Sequence, residues 1–415
     1  MIESTYLVDG TYYSAADPAL VPVLSRAYAA GIRPHCMCTE AGVEMYIAKH
    51  RNFVIKRMPG TGPQHHASCD SFEDDSAQSG RGALLGSAIV SAADDLVDLR
   101  VDFPLTRAKG RTAPAMTDRL AADVTSAPRP MSMQALLQFL FEQAGFNRWS
   151  PAMAGRRHQG VIQKYLYEVA AELRLKGKVL ADRLYVPERF DETMMEQISA
   201  RRRQRLSVLN SSGGGGHEMA LVVGEFKDVI DSSGTMRIRI RHMADAPLTM
   251  EPKDWLRLQR KFCWMFDLKA SEVGDQVRVI MCLLVYAKQE HVLHVDTATC
   301  MLTSRNWIPL DAAFEVDLVG KLTEEKRRFL KPLRYDASPS EAFPNFLLLD
   351  TGSVPTPLHV LSGFMSKAAL AAKEKAIACS EPSPWVWQTT ESMAPLPPFV
   401  AKPNAFQKTA EKSVS

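Results

Sequence analysis

The sequence predicts a multi-domain chain of the α+β or α/β class. Three observations indicate this class. The length of 415 residues exceeds what one hydrophobic core usually organises. Stretches with helical periodicity and stretches with strand periodicity both occur, and they occupy different parts of the chain. The segment SSGGGG at 211–216 has the composition of a flexible linker and separates a helix-rich part from a strand-rich part.

These shifts predict four units along the chain. The first, residues 1–125, is a small N-terminal hairpin module that ends in an Ala-, Thr- and Pro-rich stretch without periodicity. Residues 126–210 follow as a helical module, winged-helix-like in its order of helices and a short strand. The strand-rich α/β domain spans 217–390, and residues 391–415 are proline-rich and then polar, which predicts a disordered tail.

The N-terminal module begins with an amphipathic helix over 18–31, ended by Gly31. VEMYIA at 43–48 and NFVIKRM at 52–58 then alternate apolar and polar residues, which is typical of strands. Because only a short break separates them, they predict a two-stranded hairpin. The cluster MPGTGP at 58–63 predicts the turn that follows the second strand.

Two short runs flank this hairpin and predict a metal site. RPHCMC supplies Cys36 and Cys38, and HHASC supplies His65, His66 and Cys69. Structural zinc takes four Cys or His ligands in a tetrahedral arrangement. The hairpin brings its two ends together, so we predict a structural zinc site with either His65 or His66 as the fourth ligand. The alternative is a buried cysteine pair beside two surface histidines.

Cysteine usage and the lengths of the apolar segments indicate the cellular compartment of the protein. The seven cysteines are an odd number and four of them stand alone, which is poor material for a disulfide framework. The N-terminus lacks a basic stretch followed by an apolar one, and the longest apolar runs are shorter than the roughly 20 residues of a membrane span. We therefore expect a cytoplasmic protein without a membrane segment.

Clusters of arginine indicate a nucleic-acid partner, although the net charge of +3 is small. The period of two places Arg237, Arg239 and Arg241 on one face of a strand. A second cluster, Arg201, Arg202 and Arg203, closes the third helix of the helical module. Arginines in such rows can follow a phosphate backbone, so both clusters are candidate DNA contacts.

The last third of the chain resembles the core of PD-(D/E)xK nucleases, a restriction-endonuclease-like α/β domain. A helix carrying Glu315 precedes a short strand, a strand opened by FPN, and the strand PLHVL. In those nucleases an Asp after a Pro and a Glu on the next strand hold Mg²⁺. Asn345 and His359 stand at these positions, so Glu315 and Asp350 are the remaining carboxylates. The resemblance implies a catalytic site of Glu315, Asn345, Asp350 and His359 that is impaired.

Two alternatives stay open at this point. The first is a working Mg²⁺-dependent DNA nuclease with a rearranged site that uses Glu315, Asp350 and either Asp336 or Glu225 of the GEFK motif. The second is a scaffold that binds protein partners and no nucleic acid.

The chain also resembles, over nearly its whole length, the bacterial domain-of-unknown-function 1173 family, noted for three N-terminal cysteines. The matching motifs are RPHCMC, MYIA, KRMPGTG, HHASC, GEFKD, RIRIRH, WIPL, RFLKPLRYD, FPNFLLLD and WVWQ. The resemblance implies a setting on plasmids and other mobile elements, with protein partners from the same element. It also implies Asp and Glu where this chain has Asn345 and His359. The resulting expectation is a DNA-associated protein of a mobile element.

Overall fold

A computed structural model describes residues 4–49, 52–91, 96–108, 129–210, 216–289, 292–338 and 341–400. Within these ranges lie eight α-helices and 22 strands, so the mixed α+β class is confirmed. None of the described helices combines the length and the apolar character that crossing a bilayer requires. The helices are α1 (Leu20–Ala29), α2 (Met133–Gln143), α3 (Gln159–Ala171), α4 (Met195–Arg205), α5 (Pro252–Lys261), α6 (Cys263–Ala270), α7 (Glu315–Glu324) and α8 (Lys367–Ala378).

The strands form four sheets. In chain order they are β1 (Thr5–Val8), β2 (Thr11–Ser14), β3 (His35–Cys36), β4 (Val43–Lys49), β5 (Phe53–Arg57), β6 (Ile89–Ser91), β7 (Val97–Leu99), β8 (Thr106–Ala108), β9 (Arg148–Trp149), β10 (Leu173–Leu175), β11 (Lys178–Val179), β12 (Leu184–Tyr185), β13 (Gly216–Ser232), β14 (Thr235–Ile240), β15 (Leu248–Met250), β16 (Val277–Gln289), β17 (Val292–Ser304), β18 (Pro309–Leu310), β19 (Phe329–Leu330), β20 (Phe346–Leu348), β21 (Thr356–Leu361) and β22 (Trp385–Gln388).

The N-terminal sheet has the order β2-β1-β3-β4-β5. The predicted hairpin is confirmed as β4 and β5, which pair antiparallel with Ile47 opposite Ile55. Helix α1 lies against this sheet and buries Val23, Leu24 and Ala27 in a small core of its own. The predicted helix over 18–31 is thereby confirmed, and its apolar positions follow the helical period.

The second sheet has the order β11-β10-β7-β6, and its apolar residues share a core with helices α2 and α3. Ser132 begins α2 because its hydroxyl accepts a hydrogen bond from the backbone N–H of Ala135, the usual N-cap contact. Leu136, Leu137 and Leu140 of this helix are fully buried. They belong to a core that also takes in side chains of β13, β16 and β17. The central helices therefore pack directly on the strand-rich part of the chain.

The largest sheet closes on itself. Strand β13 pairs with β16 through residues 219–225 and with β14 through residues 226–232. Strand β15 links β14 to β17, and β17 pairs along its length with β16. The order is thus β13-β14-β15-β17-β16 and back to β13, which makes a five-stranded ring. Along the chain, helices α5 and α6 lie between β15 and β16. A register shift between Phe226 and Asp228 lets the single long strand β13 serve both neighbours.

A fourth sheet follows, with the order β22-β21-β20-β19-β9. Strands β19, β20 and β21 form an antiparallel meander, helix α8 crosses over, and β22 returns parallel to β21. Helix α7 precedes the meander and buries Leu318 and Leu322 in the core that this sheet shares with the ring. The predicted strand-rich domain at 217–390 therefore contains two different sheets, a ring and an open mixed sheet.

The sheets join residues from both sides of the predicted boundaries at 125/126 and 210/217. Strand β7 pairs with β10, β8 pairs with β13, and β9 pairs with β19. Most of the predicted linkers, 109–128 and 211–215, lie outside the described residues.

The predicted disordered tail divides at residue 400. Residues 401–415 lie outside the described part, but residues 391–400 dock on the protein, contrary to the prediction. The carbonyl of Pro397 accepts a hydrogen bond from Arg327 at 2.7 Å, and the N–H of Val400 donates to the Asp350 carbonyl at 2.9 Å. A proline-rich composition predicted disorder, yet such a segment can also bind in an extended form along a preformed surface.

Candidate functional site

Cys36, Cys38, His65 and Cys69 converge on one point. Their candidate ligand atoms all lie within 4.8 Å of one another. The Sγ atoms of Cys36 and Cys69 are 3.6 Å apart, and His65 Nδ1 lies 3.3 Å from Cys38 Sγ and 3.8 Å from Cys69 Sγ. Three sulfurs and one imidazole nitrogen form the donor set of a Cys₃His zinc site. This cluster could therefore hold a metal ion such as zinc.

Local backbone structure sets these positions. Cys36 lies in β3, which is held between β1 and β4. The loop after it turns at Gly42, whose φ of +69° favours glycine. On the other side, a short 3₁₀ turn at 62–64 carries the chain from the hairpin to His65. The backbone N–H groups of His66 and Ser71 point at Cys38 Sγ and Cys69 Sγ at 3.4 Å, as donors do around thiolates.

The structure resolves which histidine completes the cluster. His65 is buried beside the sulfurs, whereas the Nδ1 of His66 contacts the N–H and hydroxyl of Ser68 at 3.2 and 2.9 Å. His66 is therefore wrong as a candidate ligand. Sequence could not separate the two because adjacent residues in a turn can point in opposite directions.

The groups in the cluster strongly affect each other's protonation. Hydrogen bonds from Cys36 and Cys38 lower the pKa of Cys69, while hydrogen bonds with Cys38 and Cys69, together with burial, raise the pKa of Cys36. Burial lowers the pKa of His65, but hydrogen bonds with Cys38 and Cys69 raise it to about 9. A bound metal ion would displace these protons, since it needs thiolates and a neutral imidazole.

The cluster lies where the N-terminal module packs against the C-terminal sheet. Cys36, Cys69 and Phe72 share a small apolar core with Leu330 of β19 and Leu347 of β20. Backbone and side-chain hydrogen bonds reinforce it, from Ala67 N–H to the Ser353 carbonyl and from Arg328 to the Ser68 carbonyl. A metal in this position would hold together parts of the chain that are more than 250 residues apart in sequence.

Of the predicted catalytic residues, Glu315 and Asn345 meet in the C-terminal sheet. Asn345 Nδ2 donates to Glu315 Oε1 at 2.7 Å. The same carboxylate accepts from Lys331 Nζ at 2.8 Å, and Lys331 also reaches Asp311 at 2.6 Å. Both Glu315 and Lys331 are almost completely buried. Burial lowers the pKa of Lys331, but the two carboxylates raise it above its usual value, so the group is a charged ammonium.

His359 and a second buried lysine adjoin this network. Asn345 Oδ1 accepts from Lys373 Nζ at 2.7 Å and from the Val360 N–H at 2.9 Å. Burial and the nearby Lys331 lower the pKa of Lys373 to about 7. Burial and Lys373 lower the pKa of His359 to about 3, so its ring is neutral at pH 7. His359 Nε2 lies 3.2 Å from the Ser380 hydroxyl.

Asp350 does not join the Glu315 network. It forms a buried bidentate pair with Arg327, whose two N–H groups donate to Oδ1 at 2.7 Å and to Oδ2 at 3.1 Å, and it accepts from the Arg328 N–H at 2.7 Å. The structure therefore separates Asp350 from the other predicted catalytic residues, and a neighbouring arginine neutralises its charge. Across the described ranges, the Cys₃His cluster alone gathers three or more Cys, His, Asp or Glu ligands at one point.

The carboxylates of the rearranged alternative are also dispersed. Asp336 accepts from the hydroxyl and N–H of Ser132 at 2.5 and 2.9 Å. Glu225 is buried between Arg241 at 3.2 Å and Arg278 at 2.7 Å. Each of these groups thus has local partners away from Glu315.

The arginines predicted to contact DNA differ in their surroundings. Arg202 is buried and ion-paired with Asp245, so its guanidinium already has an acidic partner. Arg201 is exposed and pairs with Glu188, and Arg203 is exposed. Arg239 pairs with Asp228, whereas Arg237 is exposed and forms no ion pair within the described part of the chain.

Sequence reasoning missed Lys331 and Lys373. The available signal for Lys331 was RFLKPL, where this lysine directly follows the short buried strand β19 and is flanked by apolar residues. A lysine at such a position is a candidate for a buried ion pair, because an unpaired buried charge is costly.

Comparison with known proteins identifies a family. A family model described as "Protein of unknown function (DUF1173)" matches residues 6–390. No curated protein and no solved structure matches the chain. Because the matched region covers most of its length, this chain belongs to the DUF1173 family.

Proposed function

We propose that this protein is a DNA-associated component of a bacterial mobile element. In this proposal a structural zinc ion holds its N-terminal module in place, and its nuclease-like C-terminal core does not cut DNA. The observation that carries the proposal is the position of the Lys331 ammonium between Asp311 and Glu315.

A structural role for zinc follows from the number of ligands. Catalytic zinc sites keep one position for water or substrate, whereas structural sites use four protein ligands. Cys36, Cys38, His65 and Cys69 supply four, and Cys36, His65 and Cys69 are buried. The zinc would then stabilise the contact between the N-terminal module and strands β19 and β20.

The nuclease-like assignment is an argument from topology and from residue position. The order α7-β19-β20-β21-α8-β22 resembles that of a PD-(D/E)xK core. Glu315 is on the first helix, Asn345 lies before the second strand and His359 is on the third. Such an analogy supports a fold and not an activity. The residues themselves decide the activity.

Those residues argue against metal-dependent cleavage. Mg²⁺ needs hard oxygen ligands and room to keep several waters. Glu315 instead accepts hydrogen bonds from Lys331 and Asn345, and Asn345 accepts one from Lys373. Two lysines therefore supply the positive charge that a divalent ion would bring, inside a buried network.

A cleavage assay with a matched variant tests the proposal. Supercoiled, linear and single-stranded DNA are incubated with the full-length protein and Mg²⁺ or Mn²⁺ at high protein concentration. We expect DNA binding without cleavage, for the native chain and for E315Q and E324Q alike. Glu324 is exposed on the same helix as Glu315, so E324Q is the control.

Two results would overturn the proposal. Cleavage that E315Q abolishes and E324Q retains would make the protein an active nuclease. Absence of binding to every DNA form at low salt would remove DNA association and favour a protein scaffold. In that case a nuclease-treated pull-down would still recover protein partners.

A further inference from the structure

The five-stranded ring has the topology of a known class of nucleic-acid-binding barrel. Numbering its strands from one to five along the chain gives the closed order one-two-three-five-four-one. The third and fifth strands run parallel, their other neighbours are antiparallel, and helices α5 and α6 join the third strand to the fourth. This is the arrangement of an OB-fold, whose second and third strands present the face that binds oligonucleotides or oligosaccharides.

One side of the ring is covered and another is open. Outward residues of β16 and of the first half of β13, including Leu221, Val223, Ile280 and Cys282, are buried in the core built on α2 and α3. Inward residues such as Val222, Ile238 and Ile240 fill the barrel. The outward residues of β14 have no such cover, since Arg237 is exposed and Arg239 is half-buried. The open side is thus the one that binds ligands in OB-folds.

The open face carries positive charge. Arg237 and Arg239 project from β14 at the period of two, and Arg241 follows in the turn directly after it. Asp228 and Glu225 of β13 hold the last two guanidinium groups in place, while Arg237 and the exposed Lys227 form no ion pair within the described ranges. This row favours a polyanion over an uncharged oligosaccharide.

A cleft of about 640 Å³ lies where this row ends. Phe190, Phe226, Lys227, Arg241 and His242 are among its lining residues. Phe190 is 40% exposed, which is high for a large apolar side chain in a folded protein. The backbone N–H of Phe190 donates to His242 Nδ1 at 3.2 Å, so the neutral ring keeps a donor at Nε2. An aromatic face beside cationic groups is the chemistry that receives an unstacked base and its phosphate.

We propose that the ring binds single-stranded nucleic acid along the outer face of β14, with one base against Phe190 in the cleft. This inference rests on the proposed DNA association and deepens it, because it assigns the contact to the barrel and selects single strands over duplexes. The strand's phosphates would follow Arg237, Arg239 and Arg241.

Binding by the full-length protein to a fluorescein-labelled oligo-dT of about 16 nucleotides tests the inference, since one OB-fold covers about 4–16 nucleotides. Anisotropy titrations compare this strand with a duplex of the same length and with an abasic strand. We expect the oligo-dT to bind at least tenfold more tightly than either. The variant R237Q/K227Q should weaken it about tenfold and flatten the salt dependence by about 0.7 per lost phosphate contact. K164Q, which removes an exposed lysine of α3, should leave the affinity for the oligo-dT and its salt dependence unchanged.

The variant F190A separates the cleft from general charge. Phe190 is exposed, so its removal leaves the core intact, and it should weaken oligo-dT about fivefold or more without affecting the abasic strand. Equal or tighter binding of the duplex, or an F190A effect equal for both strands, overturns this inference and leaves the proposed DNA association standing. Failure to bind any of these DNAs removes both.

Discussion

The protein gathers polar groups at two buried places, and the two differ in where their positive charge comes from. The N-terminal cluster of Cys36, Cys38, His65 and Cys69 consists of groups that become metal ligands on losing protons. The C-terminal network of Asp311, Glu315 and Asn345 contains carboxylates, yet Lys331 and Lys373 lie among them. The first place can be completed by an ion from solution, and the second is already completed by the chain itself. Residue type alone therefore does not identify a metal site, because the nearest cation decides.

Removing the metal tests the first half of this comparison and should have the largest effect. We expect C69S to lose bound zinc and the N-terminal module to lose stability on the order of 10 kcal/mol, the scale of structural zinc binding. Metal analysis of the purified protein and thermal unfolding with and without a chelator measure this. C263S, which removes an exposed cysteine outside the cluster, is the control and should keep its zinc. A metal-free native protein with a chelator-independent unfolding midpoint would contradict the prediction.

Removing the internal cation tests the second half. K331M leaves the fully buried Glu315 without its ammonium partner, so we expect a loss of about 3–5 kcal/mol in the free energy of unfolding. Denaturant titrations measure it, with K321M, which removes one half of a surface pair, as the control. The double variant K331M/E315Q should recover part of the loss. If K331M were as stable as K321M, the network would not be self-neutralised as described.

The pH dependence of stability sharpens the comparison further. His359 has a pKa of about 3 in the folded protein and about 6.5 when unfolded. The unfolded chain therefore takes up the proton first as pH falls. The native protein should lose about 1.4 kcal/mol of stability per pH unit through this group between roughly pH 6 and pH 4.

The variant H359N isolates this contribution. The residues of the Cys₃His cluster titrate in both proteins, so the difference in stability between the native chain and H359N cancels their contribution. Denaturant titrations across this pH range should show that difference changing with pH. A constant difference would mean that His359 is protonated or exposed in the folded state.

Local patterns predicted local structure well. The hairpin of β4 and β5 follows from alternation over a few residues, and the metal cluster follows from two short runs that the hairpin joins. The choice of His65 over His66 did not follow, because it depends on side-chain direction within one turn.

Long-range closure was not predictable in the same way. Strand β13 is predicted by its apolar residues, but its division between β16 and β14 depends on a bulge near Lys227 and on partners as distant as the pair Met219 and Tyr286. Lys331 likewise meets Glu315 through the packing of α7 against β19, which no local pattern encodes. The arginines of RIRIR were evident in the sequence, whereas the barrel that places them on an open face was not.

The contact between residues 391–400 and the buried Arg327–Asp350 pair bears on where the folded unit ends. The family match stops at residue 390, yet Pro397 accepts a hydrogen bond from Arg327 and Val400 donates one to Asp350. A fragment cut at the family boundary would uncover this ion pair and leave one guanidinium donor without its acceptor. The ten residues after the matched region bind along the C-terminal sheet, so the folding unit extends beyond the region that the family model matches.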